Sequence, residues 1–203
     1  MIQNNFQKIA VSCGVAAVLS LSTQVSQAGS NHIIGLAYTS GFQDVVDWHD
    51  DNLNVETDML SPVGLTYRYN YNYDSGLRMD IGLGPISMIG GDVDYFNMPL
   101  VATVGYNLFQ DSGFNVYVRG GLSYHILDGD YVVDDSATGL LGAVGIEAGN
   151  RVKFVAEISM DTAEAAFSNG GTYVWNSDTG YTYVESEEEI AIDDVMFTIA
   201  VKF

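Results

Sequence analysis

Val195-Met196-Phe197-Thr198-Ile199-Ala200-Val201-Lys202-Phe203 is the stretch that decides the fold. Its odd positions are large and apolar. Its even positions are small, polar or charged, apart from Met196. A period of two describes a strand with one face in apolar surroundings. The strand runs to an aromatic last residue, at odds with the fraying expected of a terminus in water.

Working outward, the same alternation recurs. His32 to Phe42 reads as the first strand, with Ile34, Leu36 and Tyr38 on one face. A second, from Val63 to Tyr73, sets Val63, Leu65, Tyr67, Tyr69, Tyr71 and Tyr73 against Gly64, Thr66, Arg68, Asn70 and Asn72. A row of tyrosines suits a surface passing from hydrocarbon to headgroups, because the ring is apolar and the hydroxyl wet. Leu77 to Gly84, Met98 to Leu108, Phe114 to Ile126, Leu140 to Ala148 and Val152 to Met160 continue the pattern. With Val195–Phe203 that makes eight strands.

The connections alternate in length. Tight turns follow the second, fourth and sixth strands, at Asp74-Ser75-Gly76, Gln110 to Gly113, and Gly149-Asn150. Wider polar stretches follow the first, third, fifth and seventh: Gln43 to Asp58, the shorter Gly90 to Asp94 beyond a strand end bent at Pro85, Asp128 to Ser136, and Asp161 to Glu189. An even-numbered antiparallel membrane barrel has short turns at one rim and long loops at the other. No mature segment is a continuous apolar run of about 20 residues, so a closed barrel is the one membrane-spanning form open to this chain.

The chain resembles the small eight-stranded bacterial outer-membrane barrels of the OmpA/OmpX type, over residues 31–203, in pattern and without a diagnostic motif. The resemblance implies an all-β fold: an up-and-down transmembrane barrel with short periplasmic turns and longer, acidic outer loops. It also implies that Val201 and Phe203 act as the assembly signal read by the outer-membrane assembly machinery. That signature favours a glycine five residues before the end, where this chain has Thr198.

Residues 1–28 read as a secretory signal: Lys8 in a weak n-region, an apolar Ile9–Leu21, and Ser26-Gln27-Ala28 at the cleavage site. Residues 29–203 form the barrel domain. Cys13 lies inside the apolar segment, which does not fit a lipidated cysteine, and the mature chain has no other. The net charge of −19, from 26 acids and 7 bases, excludes nucleic-acid binding.

The charges are sorted by position. Keeping apolar faces together across each turn places Arg68, Arg78, Asp80, Arg119, Glu147, Lys153, Glu157 and Lys202 inward, with Asn70, Asn72 and Asn115. An eight-stranded lumen is just wide enough for side chains to fill, so these residues are expected to form a polar plug. Asn72 is expected opposite Arg78, Asn70 opposite Asp80, and Glu147 opposite Lys153. Most of the 26 acids fall instead in the long connections, which carry no Lys or Arg. They are expected to be solvated charge; Asp92/Asp94, Asp128/Asp130 and Asp134/Asp135 are candidate ligands for divalent cations bridging to lipopolysaccharide.

Other candidates have weaker patterns. Ser123 and His125 share a face with Asp128 and Asp130 nearby, a set that suggests a lipid-A-modifying enzyme without its motif. His32 and His49 are isolated. Gly82 and Gly84 precede no helix and make no phosphate loop. Trp48, Trp175, Tyr173, Tyr181 and Tyr183 fall in the outer loops as interfacial anchors or a recognition surface. The expected protein is a monomeric outer-membrane barrel without cofactor, bound metal or catalysis, acting structurally or through its loops. A narrow pore, a lipid-A enzyme and a secreted β-sandwich are the alternatives.

Overall fold

The computed structural model describes residues 29–53, 57–59, 63–91, 94–111, 113–176, 180–192 and 195–203. Eight strands form a closed antiparallel ring: β1 (Ser30–Thr39), β3 (Val63–Asn72), β4 (Leu77–Leu83), β6 (Tyr95–Asp111), β7 (Phe114–Gly129), β8 (Ser136–Gly149), β9 (Lys153–Asp161) and β12 (Val195–Lys202). Each pairs with its chain neighbours, and β12 returns to β1. The seam runs from Thr39↔Met196 to Ile33↔Lys202. It is extended by a reciprocal backbone pair, His32 N–H to Phe203 O at 2.8 Å and Phe203 N–H to His32 O at 2.9 Å. The last residue is thus tied in, and the barrel strands leave no free edge.

The outward face has the chemistry the alternation implies. Leu36, Ile81, Leu122, Leu140, Phe154, Ile158 and Ile199 are all exposed, Ile199 to 73%. Tyr71, Tyr73, Tyr106, Phe109 and Phe114 gather near the turn end; Tyr38 and Tyr124 lie near the loop end. Phe109 follows a bulge in β6, which turns it out beside Leu108. Met196, the exception in the deciding stretch, points inward and is buried with Val101, Leu141 and Ala143. Gly145 is required by a close approach: a Cβ there would run into the Tyr117 ring.

Several boundaries differ from the sequence reading. β1 stops at Thr39, and the stretch expected to be a polar loop is a helix, α1 (Gly41–Leu53). Val45, Val46, Trp48 and His49 form its buried face, while Asp44, Asp47, Asp50 and Asp51 are exposed, a helical period within an acidic segment. Two short strands, β2 (Thr57–Met59) and β5 (Ser87–Gly91), extend the sheet beside β6. The long polar stretch after β9 is a hairpin, β10 (Glu164–Asn176) and β11 (Gly180–Ala191). Asp161, expected in the loop, is the inward-facing last residue of β9 and is 5% exposed. The tight turns gather at one end of the barrel; α1, β2, β5 and the hairpin gather at the other. The signal segment, Cys13 and Asp92 lie outside the described residues.

Candidate functional site

Strand register brings the inward charges together in two linked clusters. Near the turn end, Arg78 grips Asp80 with Nε and Nη2, both at 3.0 Å, and donates to Glu147 at 3.2 Å. Lys202 Nζ donates to both Glu147 oxygens at 3.0 Å. Deeper in, Arg119 grips Glu157 with Nε at 2.9 Å and Nη2 at 2.7 Å, while Arg68 Nη1 donates to both Glu157 oxygens at 2.9 and 2.8 Å. Tyr117 joins the clusters. Its ring lies 3.6 Å beneath the Arg78 guanidinium, and its hydroxyl donates to Glu157 at 2.7 Å. Arg68, Arg78, Asp80, Arg119, Glu147 and Glu157 are all buried. Charges this deep persist only when paired and hydrogen-bonded, and the inward alternation supplies the partners.

The pairings of Asn72 with Arg78 and Asn70 with Asp80 occur in the ladder as expected. Glu147 does not oppose Lys153. The register sets Glu147 against Val155 and Gly149 against Lys153, because the turn falls at 150–152, one residue later than the expected pairing requires. Lys153 Nζ still comes within 3.6 Å of Glu147.

Above the ions sits the apolar layer of Val101, Leu141, Ala143 and Met196. Above that is a second polar group. Ser123 Oγ donates to Asp161 Oδ1 at 2.8 Å, His125 Nε2 lies 3.4 Å from Asp161 Oδ2, and His125 Nδ1 lies 3.1 Å from Asn97 Oδ1. Ser123 and His125 therefore meet on one carboxylate. A nucleophile needs its base on the hydroxyl, whereas here the hydroxyl's acceptor is the acid. Asp128 and Asp130, the expected acid partners, are exposed.

Trp48 and His49 are not surface groups. Trp48 forms an apolar core across the loop end with Val45, Val46, Tyr95, Leu127, Ala137, Ala163, Ala165, Phe167, Ile190 and Ile192, and the buried His49 ring stands edge-on to Trp48 and Phe167. Trp48 Nε1 donates to Glu188 at 2.9 Å, joining α1 to β11. The loop after β7 is tied in by Val133 N–H to Ala166 O and Ser168 N–H to Tyr131 O, both at 2.9 Å. This cap closes the mouth that long connections would otherwise leave open. The helical period of Val45, Val46, Trp48 and His49, after Ser40-x-x-Gln43, was the signal for it.

The remaining candidates separate. Trp175 and Tyr181 are exposed near the hairpin tip, in edge contact at 5.1 Å between ring centres; Tyr173 and Tyr183 face each other in the ladder, their side chains outside the described set. His32 lies outward at the seam, with Nδ1 2.9 Å from the Tyr67 hydroxyl and its ring beside Tyr69 and Phe203. Asp130 accepts from the Asp94 backbone at 3.3 Å, and Asp134 and Asp135 are exposed. Among the described residues, no three His, Cys, Asp or Glu side chains converge as metal ligands.

A closed eight-stranded antiparallel ring with an apolar exterior and a polar lumen is the fold of the small OmpA/OmpX-type outer-membrane barrels. Neisserial surface protein A has a similar structure, with a TM-score of 0.50 and 13% identity over 86% of this chain and 96% of that one. Ail of Yersinia pestis (TM-score 0.45, 12% identity, 87% of this chain and 100% of that one) and the outer membrane protein AlkL in DMPC bilayers (0.47, 12%, 89% and 92%) also align. The sequence itself matches no known family and no curated protein.

Proposed function

We propose that this chain is a monomeric integral protein of a bacterial outer membrane, a plugged barrel that holds a folded, acidic cap outside the cell. The observation that carries the reading is the contrast between the two faces of the barrel wall. From residue 34 to 38 in β1, 63–71, 77–83, 96–108, 114–126, 138–148, 154–160 and 195–201, no outward position is charged, while the inward positions hold buried ion pairs. A belt that continuous is far larger than a soluble monomer exposes. Strands with lipid outside and polar filling inside satisfy every backbone group only when the ring is closed.

Residues 1–28 are the export signal, and Val201 and Phe203 the signal for the assembly machinery. The turns then face the periplasm, and α1 with the β10–β11 hairpin faces outward. The role is structural or one of surface interaction, exercised by the cap with its exposed Trp175–Tyr181 pair and exposed Glu187 and Glu189. Lipid and lipopolysaccharide are the immediate partners, with divalent cations as a bridge between acid and phosphate. A non-catalytic role is supported by Ser123 and His125 sharing Asp161 beneath the cap. A plug rather than a pore is supported by the two ion clusters across the lumen.

The test is fractionation followed by protease treatment of intact cells. The protein should migrate faster before boiling than after, from the outer-membrane fraction, and protease should cut the hairpin tip while sparing the barrel. Recovery in the soluble fraction, or a hairpin cut only after lysis, sinks the reading.

A further inference from the structure

His49 is the one titratable side chain of α1 that points into the cap. The helix turns its acids, Asp44, Asp47, Asp50 and Asp51, to solvent, and buries His49 completely. Its Nδ1 lies 2.7 Å from the Val45 carbonyl oxygen. A carbonyl only accepts, so Nδ1 carries the proton of the neutral ring and Nε2 carries the lone pair. Nε2 is buried and has no hydrogen-bond partner among the described residues.

The rings around it offer no acceptor for a second proton. Trp48 of α1 and Phe167 of β10 meet the imidazole edge-on, with centres 5.0 and 5.6 Å away, and Tyr131 of the loop after β7 meets it at 6.4 Å. The charged groups of the packed elements are committed or turned outward. Glu188 of β11 accepts the Trp48 indole at 2.9 Å. Glu187 and Glu189 of β11, Glu164 of β10, and Asp128, Asp130, Asp134 and Asp135 of the loop are exposed. Asp58 of β2 has its side chain outside the described set.

Tyr131 adds a second observation. Its φ of 67° is the left-handed region, which a bulky side chain occupies only when held there. What holds it is the cap: Ser168 N–H donates to Tyr131 O, and Val133 N–H to Ala166 O. The loop is thus a strap under strain, laid across the helix that carries His49.

We propose that His49 makes the cap acid-labile, a proton at Nε2 releasing α1, the strap and the β10–β11 hairpin from the barrel mouth. An imidazole in water takes up its second proton below about pH 6.5. In the closed cap that proton would leave a charge among aromatic rings with no acceptor, which is costly. The closed cap therefore excludes the proton and the open cap binds it, so falling pH favours opening. His125, also fully buried, differs: it lies against Asp161 and Asn97, which can accept from a charged ring. The inference goes beyond the proposed surface role and stands apart from it, since the cap belongs to the folded chain in either membrane orientation.

The test follows Trp48 emission in a Trp175→Phe background, with the barrel in detergent micelles. Urea titrations give the cap's opening constant at each pH between 8 and 5, a window above the ordinary range of free carboxylates. The constant should be flat above pH 7.5 and rise about tenfold per pH unit below 6, the slope for one proton taken up on opening. His49→Phe should remove the rise, and His125→Gln should keep it. Blue-shifted Trp48 emission at pH 7.5 and heat-modifiable migration check that each variant is folded and capped; His49→Gln stands in if His49→Phe is not. A flat profile in the parent protein, a rise that survives replacement of His49, or one abolished by His125→Gln alone would each overturn the proposal.

Discussion

The ion clusters toward the turns and the core of the cap at the loop end are lined in part by the same strands, yet they are opposite in chemistry, with the Ser123–Asp161–His125 group lying between them. Toward the turns, Arg68, Arg78, Arg119 and Lys202 are closed onto Asp80, Glu147 and Glu157 by hydrogen bonds of 2.7 to 3.2 Å. Toward the loops, Tyr95, Leu127 and Ala137 continue the inward rows of β6, β7 and β8 as apolar residues and meet α1 and the hairpin. The difference teaches where each kind of filling is affordable. Tight turns hold the strand register, so charged groups meet at fixed geometry. At the loop end the partners come from inserted segments, and non-directional apolar packing tolerates looser placement.

The sharpest way to break the comparison is Glu157→Gln. It leaves Arg68 and Arg119 buried without a counter-charge, a loss of about 3–5 kcal/mol. The urea midpoint of the barrel in lipid vesicles should fall accordingly, and an unchanged midpoint would mean that the ions are not stably paired. Next is Phe167→Ala, at the centre of the cap and fully buried. It should cost about 3 kcal/mol, confined to the loop end: Trp48 fluorescence should shift to the red at lower urea while the barrel remains heat-modifiable. Simultaneous loss of both signals would merge the two halves into one cooperative unit.

Tyr117→Phe keeps the ring on Arg78 and removes only the hydroxyl donated to Glu157. About 2 kcal/mol should be lost, in the same urea titration. A neutral result would show that the aromatic contact, not the hydrogen bond, joins the two ion clusters. The smallest effect is expected from Lys153→Met, about 0.5 kcal/mol or less, since its ion pair is long and partly exposed. A large loss there would make Lys153 as much a part of the plug as Lys202.

The eight strands, their order and their inward and outward faces were legible because a period of two repeats wherever one face meets an apolar medium. The pairings Asn72↔Arg78 and Asn70↔Asp80 were legible too, since a short turn between two apolar rows allows one register. The next step was not. The turn lies one residue later than expected, at 150–152, so Lys153 pairs with Gly149, two residues along the strand from Glu147. Helix α1 hid behind its acidic composition, although Val45, Val46, Trp48 and His49 recur at helical spacing.

Val195–Phe203 shows where the division falls. Alternation alone made it a strand with one apolar face and Lys202 turned away from that face. That Phe203 closes onto His32, that Met196 is buried in a layer above the ions, and that Lys202 reaches Glu147 from the far side of the ring were decided by the tertiary structure. Periodicity is a local property of the chain. Which strand closes the ring, and which charge meets which across a lumen, depends on residues more than fifty positions apart.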